Sequence, residues 1–407
     1  MRRETSRNYR LRCLHLRSSF EAAEVLKKID VDPYGIEAML SKMTNLNVLL
    51  EGVECKVANI IKQEMLSLGG DAAVSRNAVS CGVEKTDIVI LGTVKQIQRF
   101  AEKISIQPFG LLKISNAIKQ LLSNISKDHF VVKTYHRKLE VGDRTLIMGI
   151  LNVTPDSFSD GGRFRSPEEA IEQGLKMVED GADIIDVGGE SSRPGAEAIS
   201  TEDEMERVVP VIKALSIQVH VPISVDTTKS EVAREAVEYG AEIVNDISAM
   251  TFDDEMPSVI AQTGAAVVLM HMRGKPQDMQ KGDLSYGSIC GDIIEYLKKK
   301  MADAHSAGIP LERVLIDPGF GFGKTGDDNL RLLKKLSEFR ILGRPIVAGL
   351  SRKSFIGRIT GGEPSDREEG TAAAVTAAIM NGANIIRVHD VRAMKKVAAM
   401  ADAIVRA

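Results

Sequence analysis

GADIIDV, residues Gly181–Val187, returns three times in altered form: GAEIVND at Gly240–Asp246, GAAVVLM at Gly264–Met270 and GANIIRV at Gly382–Val388. Each copy reads as a helix stop followed by a strand. Glycine tolerates the left-handed conformation that closes a helix, and the apolar, β-branched run after it suits a strand buried on both faces. Helix starts stand between the copies. Ser166-Pro167-Glu168-Glu169 offers a cap serine with proline at the first helical position, and Thr201–Glu204 and Thr228–Glu231 have the spacing of capping boxes. The same rhythm governs eight short apolar runs: LIMGILNV, DIIDVGG, PISVDT, EIVNDI, AVVLMH, VLIDPG, PIVAGLS and IIRVHD. Strands alternating with helices from Thr145 to Ala407 match a (β/α)8 TIM barrel, which takes about 250 residues.

A doubly wound open sheet would give the same alternation. Polarity at the strand ends separates the two. Nearly every run closes on a group able to bind or react: Asn152, Glu190, Asp226, Asn245, His271, Asp317, Lys353, and Arg387 with His389. A barrel gathers all of these at one mouth, whereas an open sheet spreads them along an edge.

The first part of the chain lacks this rhythm. A strand at LRCLHLR (Leu11–Arg17), a helix over Glu21–Lys28, a turn at Pro33–Gly35, a strand near Val48 and a helix over Lys56–Ser67 are expected, with further helices over Thr93–Ile104 and Leu111–Leu122. The α/β barrel is thus expected over residues 130–407, preceded by a smaller α+β domain over 1–126. SNISKD (Ser123–Asp128) reads as the linker, and the stretch from Phe130 to Leu146 as a hairpin plugging the barrel's lower end.

Across 407 residues, a net charge of -3 with 27% charged residues gives no positive excess to match a polyphosphate, so nucleic-acid binding is not expected. The longest apolar stretch, Ala372–Met380, is too short to span a membrane. Four cysteines without a C-x-x-C pair argue against a disulfide framework or a cysteine zinc site. The arginine-rich start (Arg2, Arg3, Arg7, Arg10, Arg12) allows a transit peptide, but a basic strand face is the simpler reading.

PGFGFGKTG (Pro318–Gly326) is glycine-rich without being a nucleotide loop. Pro318 stands where a Walker A loop needs glycine, and no acidic residue closes the next strand to hold a ribose. Taken with NVTPDSFSDGGRF (Asn152–Phe164), GGESSRPGA, VDTTK, NDISAM, GLSRKSFIG and RVHDV, it resembles dihydropteroate synthase over about Phe130–Ala407, in the right order on nearly every strand end.

The resemblance implies a pterinylmethyl transferase of folate biosynthesis. It would condense 6-hydroxymethyl-7,8-dihydropterin pyrophosphate with p-aminobenzoate, giving 7,8-dihydropteroate and pyrophosphate. It implies a pterin pocket of Asp226, Asn245, Asp317 and Lys353 with Met270 and Phe322 as apolar walls, and diphosphate contacts from Arg193, Arg387 and His389. Asn152 matches the asparagine that contacts Mg2+, a hard ion suited to amide oxygen, phosphate and water. Asp226, Lys353, Arg387 and His389 are the expected catalytic residues. Ser192 stands where the family commonly has threonine, which leaves the hydroxyl and alters the p-aminobenzoate or sulfonamide pocket. A cytoplasmic homodimer and sensitivity to sulfonamides are implied as well. The diphosphate arginines argue against a corrinoid methyltransferase of the same fold, and the intact site against a silent paralogue. Lys324 and Thr325 read as lid or helix-start residues and Cys290 as packing.

Overall fold

The computed structural model describes residues 10–406, except 17, 79, 81, 155–165, 193–194 and 364–365, and the chain divides into two compact units, 1–123 and 124–407. The first unit carries helices α1 (Ser19–Lys28) and α2 (Pro33–Met43), strand β1 (Asn45–Glu54), α3 (Cys55–Ser67), β2 (Asp71–Val74), β3 (Lys85–Thr93), α4 (Val94–Ile104) and most of α5 (Leu111–Ile125). Its antiparallel sheet, in the order β1-β3-β2, packs Ile88 and Ile90 against Ile61, Met65, Ile97 and Phe100.

Two expectations fail here. Residues 11–16 form no strand, and Leu11 is 98% exposed, because an alternating pattern without a partner sheet has nothing to bury. Pro33–Gly35 is the first turn of α2 rather than a loop turn, with Asp32 capping the Gly35 N–H at 2.9 Å and Pro33 at the first helical position.

The second unit opens with a hairpin of β4 (Phe130–Lys133) and β5 (Lys138–Val141). The strands β6 (Leu146–Asn152), β7 (Ile184–Gly188), β8 (Ile223–Asp226), β9 (Ile243–Asp246), β10 (Ala266–Met270), β11 (Val314–Asp317), β12 (Val347–Gly349) and β13 (Ile385–Val388) follow. All are parallel neighbours in the order β11-β10-β9-β8-β7-β6-β13-β12, and an Ile316–Ile346 bridge closes the ring between β11 and β12. The crossovers are α6 (Pro167–Glu179), α7 (Thr201–Ser216), α8 (Ser230–Glu238), α9 (Met256–Thr263), α10 (Ile289–Ser306), α11 (Gly326–Lys334) and the pair α12 (Ser354–Thr360) and α13 (Glu368–Met380), and α14 (Val391–Arg406) follows the last strand. This is the (β/α)8 barrel.

The repeated phrase does two jobs. Gly181, Gly240, Gly264 and Gly382 all take positive φ, as a helix stop requires. In three of the four copies the residue two places on then staples the lower end: Asp183 accepts from the Ile147 N–H, Asn384 from the Ile346 N–H, and Glu242 from the Thr134 hydroxyl and Arg137 of the hairpin. Val132, Val141, Phe130 and Leu139 plug the barrel against Leu146, Met148, Ile184, Ile243, Leu315, Val347 and Ile385.

The expected capping boxes at Thr201–Glu204 and Thr228–Glu231 do not form. Ser200 caps α7 through the Asp203 N–H, which frees Glu204 to turn inward. The Ser230 N–H at the start of α8 is taken by Asp253 at 2.7 Å. Ser166 does stand at the N-cap of α6, with no side-chain capping bond.

The plug generates a stability prediction. Val132→Ala deletes two fully buried methyl groups beneath the strands and should cost about 2 kcal/mol, measured by urea unfolding, while ligand affinity at the opposite end stays unchanged.

Candidate active site

At the upper end of the barrel the strand termini converge on one guanidinium. Arg387, on β13, donates from Nε to Asp186 Oδ2 at 2.6 Å and from Nη2 to Asp226 Oδ2 at 2.5 Å. Asn245 Nδ2 donates to the same Asp186 oxygen at 3.0 Å. Asp186 is fully buried and its Oδ1 has no hydrogen-bond partner among the described residues. Sequence reading passed over Asp186 because it falls inside a strand. Its signal is the charge itself, since IIDVG is otherwise an apolar strand buried throughout.

One cation cannot neutralise two carboxylates in a buried setting. Burial pushes Asp226 up to about 7 against the pull of Arg387, with repulsion from Asp186, Glu204 and Asp246 adding to the rise. Arg387 itself is held above its ordinary value by Asp186 and Asp226, although burial works the other way.

Asp317, ending β11, accepts the Gly319 N–H at 2.7 Å, and burial raises its proton affinity against the pull of that bond and of Lys353. Lys353, just before α12, is pushed down to about 8 by burial and by Arg387. Its Nζ stands 4.3 Å from the centre of the Phe322 ring. Arg352 has a left-handed backbone, φ 57°. It lines a separate cavity of about 390 Å3 with Gln173, Lys176, His389 and Arg392. His389 Nδ1 lies 2.9 Å from Ser351 Oγ.

Met270 and Phe322 form an apolar cluster with Ile247, Met272 and Met279, three residues the sequence did not single out. Asn152 ends β6, and a Cβ placed on Gly188 would lie 3.8 Å from both Asn152 Oδ1 and Asp226 Oδ2. The absent side chain keeps that space open. Ser192 lines a cavity of about 180 Å3 with Glu190, Asp226, Lys229, Phe252 and Lys275. Arg193 lies outside the described residues, as does most of the Asn152–Phe164 loop.

Two supports were not legible in advance. Lys229 Nζ bridges Glu190 and Glu204, each at 2.5 Å, tying the segment after β7 to α7. Although burial works against it, this pair of carboxylates raises Lys229 above its ordinary value. Asp246, which burial pushes up to about 6, takes the Ser248 hydroxyl and the Ser248 and Met250 N–H groups at 2.7 Å each. It thereby holds Ala249 and Met250 in left-handed conformations. Thr325 does start α11, in a capping box with Asp328, whereas Lys324 is no lid residue but a buried one. Cys290 is buried in α10, and burial pushes its thiol up to about 12. Among the described residues, no three His, Cys, Asp or Glu side chains are grouped to hold a metal.

Comparison with known proteins agrees with this geometry. The model of the pterin binding enzyme family matches residues 148–389. The dihydropteroate synthase of Synechocystis is 49% identical over 266 residues, 65% of this chain and 92% of the relative. A probable bifunctional folylpolyglutamate synthase/dihydropteroate synthase of Halobacterium salinarum is 39% identical over 371 residues, 91% of this chain and 44% of the relative. Among solved structures, the dihydropteroate synthase of Xanthomonas albilineans with 4-aminobenzoic acid superposes with a TM-score of 0.63 at 43% identity, covering 68% of this chain and 98% of that one.

The arrangement predicts a pH signature. Asp226 keeps its proton to about pH 7 when folded but only to about 3.9 when unfolded, so in this window the folded chain binds the extra proton and this group's contribution to stability falls as pH rises. Asp226→Asn removes that dependence. Urea midpoints of wild type and variant, compared from about pH 4 to about pH 8, should therefore move in the variant's favour as pH rises.

Proposed function

The chain belongs to the pterin binding enzymes as a dihydropteroate synthase, and from that premise we propose which of its side chains carry the reaction. The enzyme joins 6-hydroxymethyl-7,8-dihydropterin pyrophosphate to p-aminobenzoate, giving 7,8-dihydropteroate and pyrophosphate. The nitrogen–carbon bond forms at the pterin methylene as the carbon–oxygen bond to the diphosphate breaks. One proton leaves the amine, and the departing diphosphate takes the bond's electron pair.

In this reading Asp226, Asn245, Asp317 and Lys353 bind the polar edge of the pterin, and Met270 and Phe322 enclose its faces. A flat heterocycle needs such fixed donors and acceptors in an apolar slot. The observation that carries the proposal is the convergence of these groups over the Met270–Phe322 cluster, with Arg387 forked between two carboxylates. That fork leaves Arg387 Nη1 without a protein partner among the described residues, a donor available to a diphosphate oxygen. Arg387, Arg193 and His389 would stabilise the charge that grows on the leaving group. Ser192 would stand beside the arylamine, which brings its own unprotonated nitrogen, so no protein nucleophile is required.

For Mg2+, the amide oxygen of Asn152 is a hard oxygen donor, and it faces a gap that Gly188 leaves clear. When bound, the ion would neutralise the leaving diphosphate. The same proposal assigns the activity to residues 130–407, places the enzyme in the cytoplasm as a homodimer, and makes the arylamine pocket a target for sulfonamides. Light scattering at micromolar concentration should then give twice the 44.3 kDa of one chain.

A coupled assay with both substrates tests the reading. Lys353→Ala should lower turnover on the order of a hundredfold and weaken free pterin binding. Arg352→Ala, in the neighbouring cavity, should have a smaller effect. Equal losses that shrink together in high salt would mean that both side chains supply only positive potential.

A further inference from the structure

We propose that Lys324 is a positioning residue for the pterin pocket: its buried side-chain nitrogen fastens the segment after β11 to the end of β10 and so holds the Phe322 ring against Lys353. This rests on the reading that Phe322 and Lys353 bound that pocket.

Lys324 is 2% exposed. Its Nζ lies 2.8 Å from the Gly319 carbonyl oxygen, 3.0 Å from that of Phe322, 3.3 Å from that of His271 and 3.0 Å from His271 Nδ1. No carboxylate is among these partners. Burial, with the charges of Lys353 and Arg273, pushes Lys324 down to about 7, and in its ammonium form the nitrogen offers three hydrogens to these four acceptors, all of them on two neighbouring barrel loops. His271 can serve as acceptor because burial, with the charges of Lys324 and Arg273, pushes it down to about 2 and keeps the ring neutral. The ring is itself fixed, edge-on to Tyr296 at 4.9 Å between centres, and Tyr296 donates to the Ser248 carbonyl at 3.1 Å.

The segment from Gly319 to Gly323 needs such an anchor. Gly319, Gly321 and Gly323 all take positive φ, so no regular helix or strand ladder satisfies the backbone between them. Other side chains hold parts of it: Asn329 takes the Gly321 N–H, Gln280 donates to the Gly321 carbonyl and Tyr286 to that of Gly323. The Gly319 carbonyl takes the Phe322 N–H at 3.2 Å as well as Lys324, and the Phe322 carbonyl falls to Lys324. At Gly319 the two loops touch so closely that any Cβ would overlap the His271 carbonyl oxygen. Lys353 lies over the same segment, with its Cδ 3.2 Å from where a Cβ on Gly321 would be and its Nζ 4.3 Å from the Phe322 ring centre. Releasing the Phe322 carbonyl therefore moves the ring on which Lys353 rests.

The test is a double-mutant cycle on the full chain, read by calorimetry with 6-hydroxymethylpterin and with inorganic pyrophosphate as probes. Lys324→Met should weaken pterin binding on the order of tenfold, about 1.4 kcal/mol, and leave pyrophosphate binding within about twofold. Phe322→Ala should weaken pterin in the wild type and add nothing in the Lys324→Met background. Losses that multiply, or pyrophosphate affinity that falls in step with pterin, would overturn the positioning role. Phe322→Ala without effect in the wild type would overturn the pocket reading beneath it. Should Lys324→Met fail to fold by circular dichroism, Lys324→Gln keeps two N–H donors and carries the same cycle. It is expected to lose less pterin affinity than Phe322→Ala, and a loss that multiplies with Phe322→Ala would again decide against the proposal.

Discussion

The barrel's upper end is organised by one charge shared between too many opposites. Arg387 reaches Asp186 on β7 and Asp226 on β8, and Asn245 on β9 joins the same Asp186 oxygen. In the ring order β9-β8-β7-β6-β13, these bonds span β6 and link four of five successive strands. Buried ion pairs of this kind add little net stability, since each ion gives up water to enter, but loss of one partner strands a buried charge. Orientation is what the arrangement secures: the guanidinium is held by two carboxylates, and one of these also takes the Asn245 amide. Asn152, Asp317 and Lys353 stand around a centre that is already fixed.

The division of labour along each strand follows from the same sequence phrase. At the lower ends Asp183, Glu242 and Asn384 spend their polarity on backbone N–H groups and on the hairpin. A few residues on, Asp186, Asn245 and Arg387 spend theirs on one another. Both sets are polar residues in or beside buried strands. What distinguishes them is only which end of the barrel they occupy, the lower end serving stability and the upper end chemistry.

That explains how far the sequence could be read. The glycine-led repeats, the apolar runs and the polar strand ends were sufficient for the barrel and for most of the side chains at its mouth, because period, punctuation and chemistry coincide there. Asp186 escaped because a polar residue inside a strand has no punctuation to mark it, and its meaning depends on a partner 201 positions later. Lys324 escaped because the glycines around it suggest a loop near ligand, while its burial depends on carbonyls brought together by folding. The capping boxes at Thr201 and Thr228 failed for a related reason. Several hydroxyls and carboxylates competed for the same N–H groups, and Ser200 and Asp253 won through positions that spacing does not encode. Leu11–Leu16 shows the opposite limit, a pattern with no surface to satisfy it.

The shared charge at the mouth also makes this a site that breathes protons. Asp226 at about 7 and Lys353 at about 8 both change state near neutrality. Each can take up or release a hydrogen ion when a charged ligand docks beside it, which couples binding of a diphosphate ester to proton exchange with the solution. Part of the heat of association then belongs to the buffer rather than to the protein. Because Asp226 and Lys353 are also the groups proposed for the pterin edge, the pH dependence reaches the ring as well as the diphosphate.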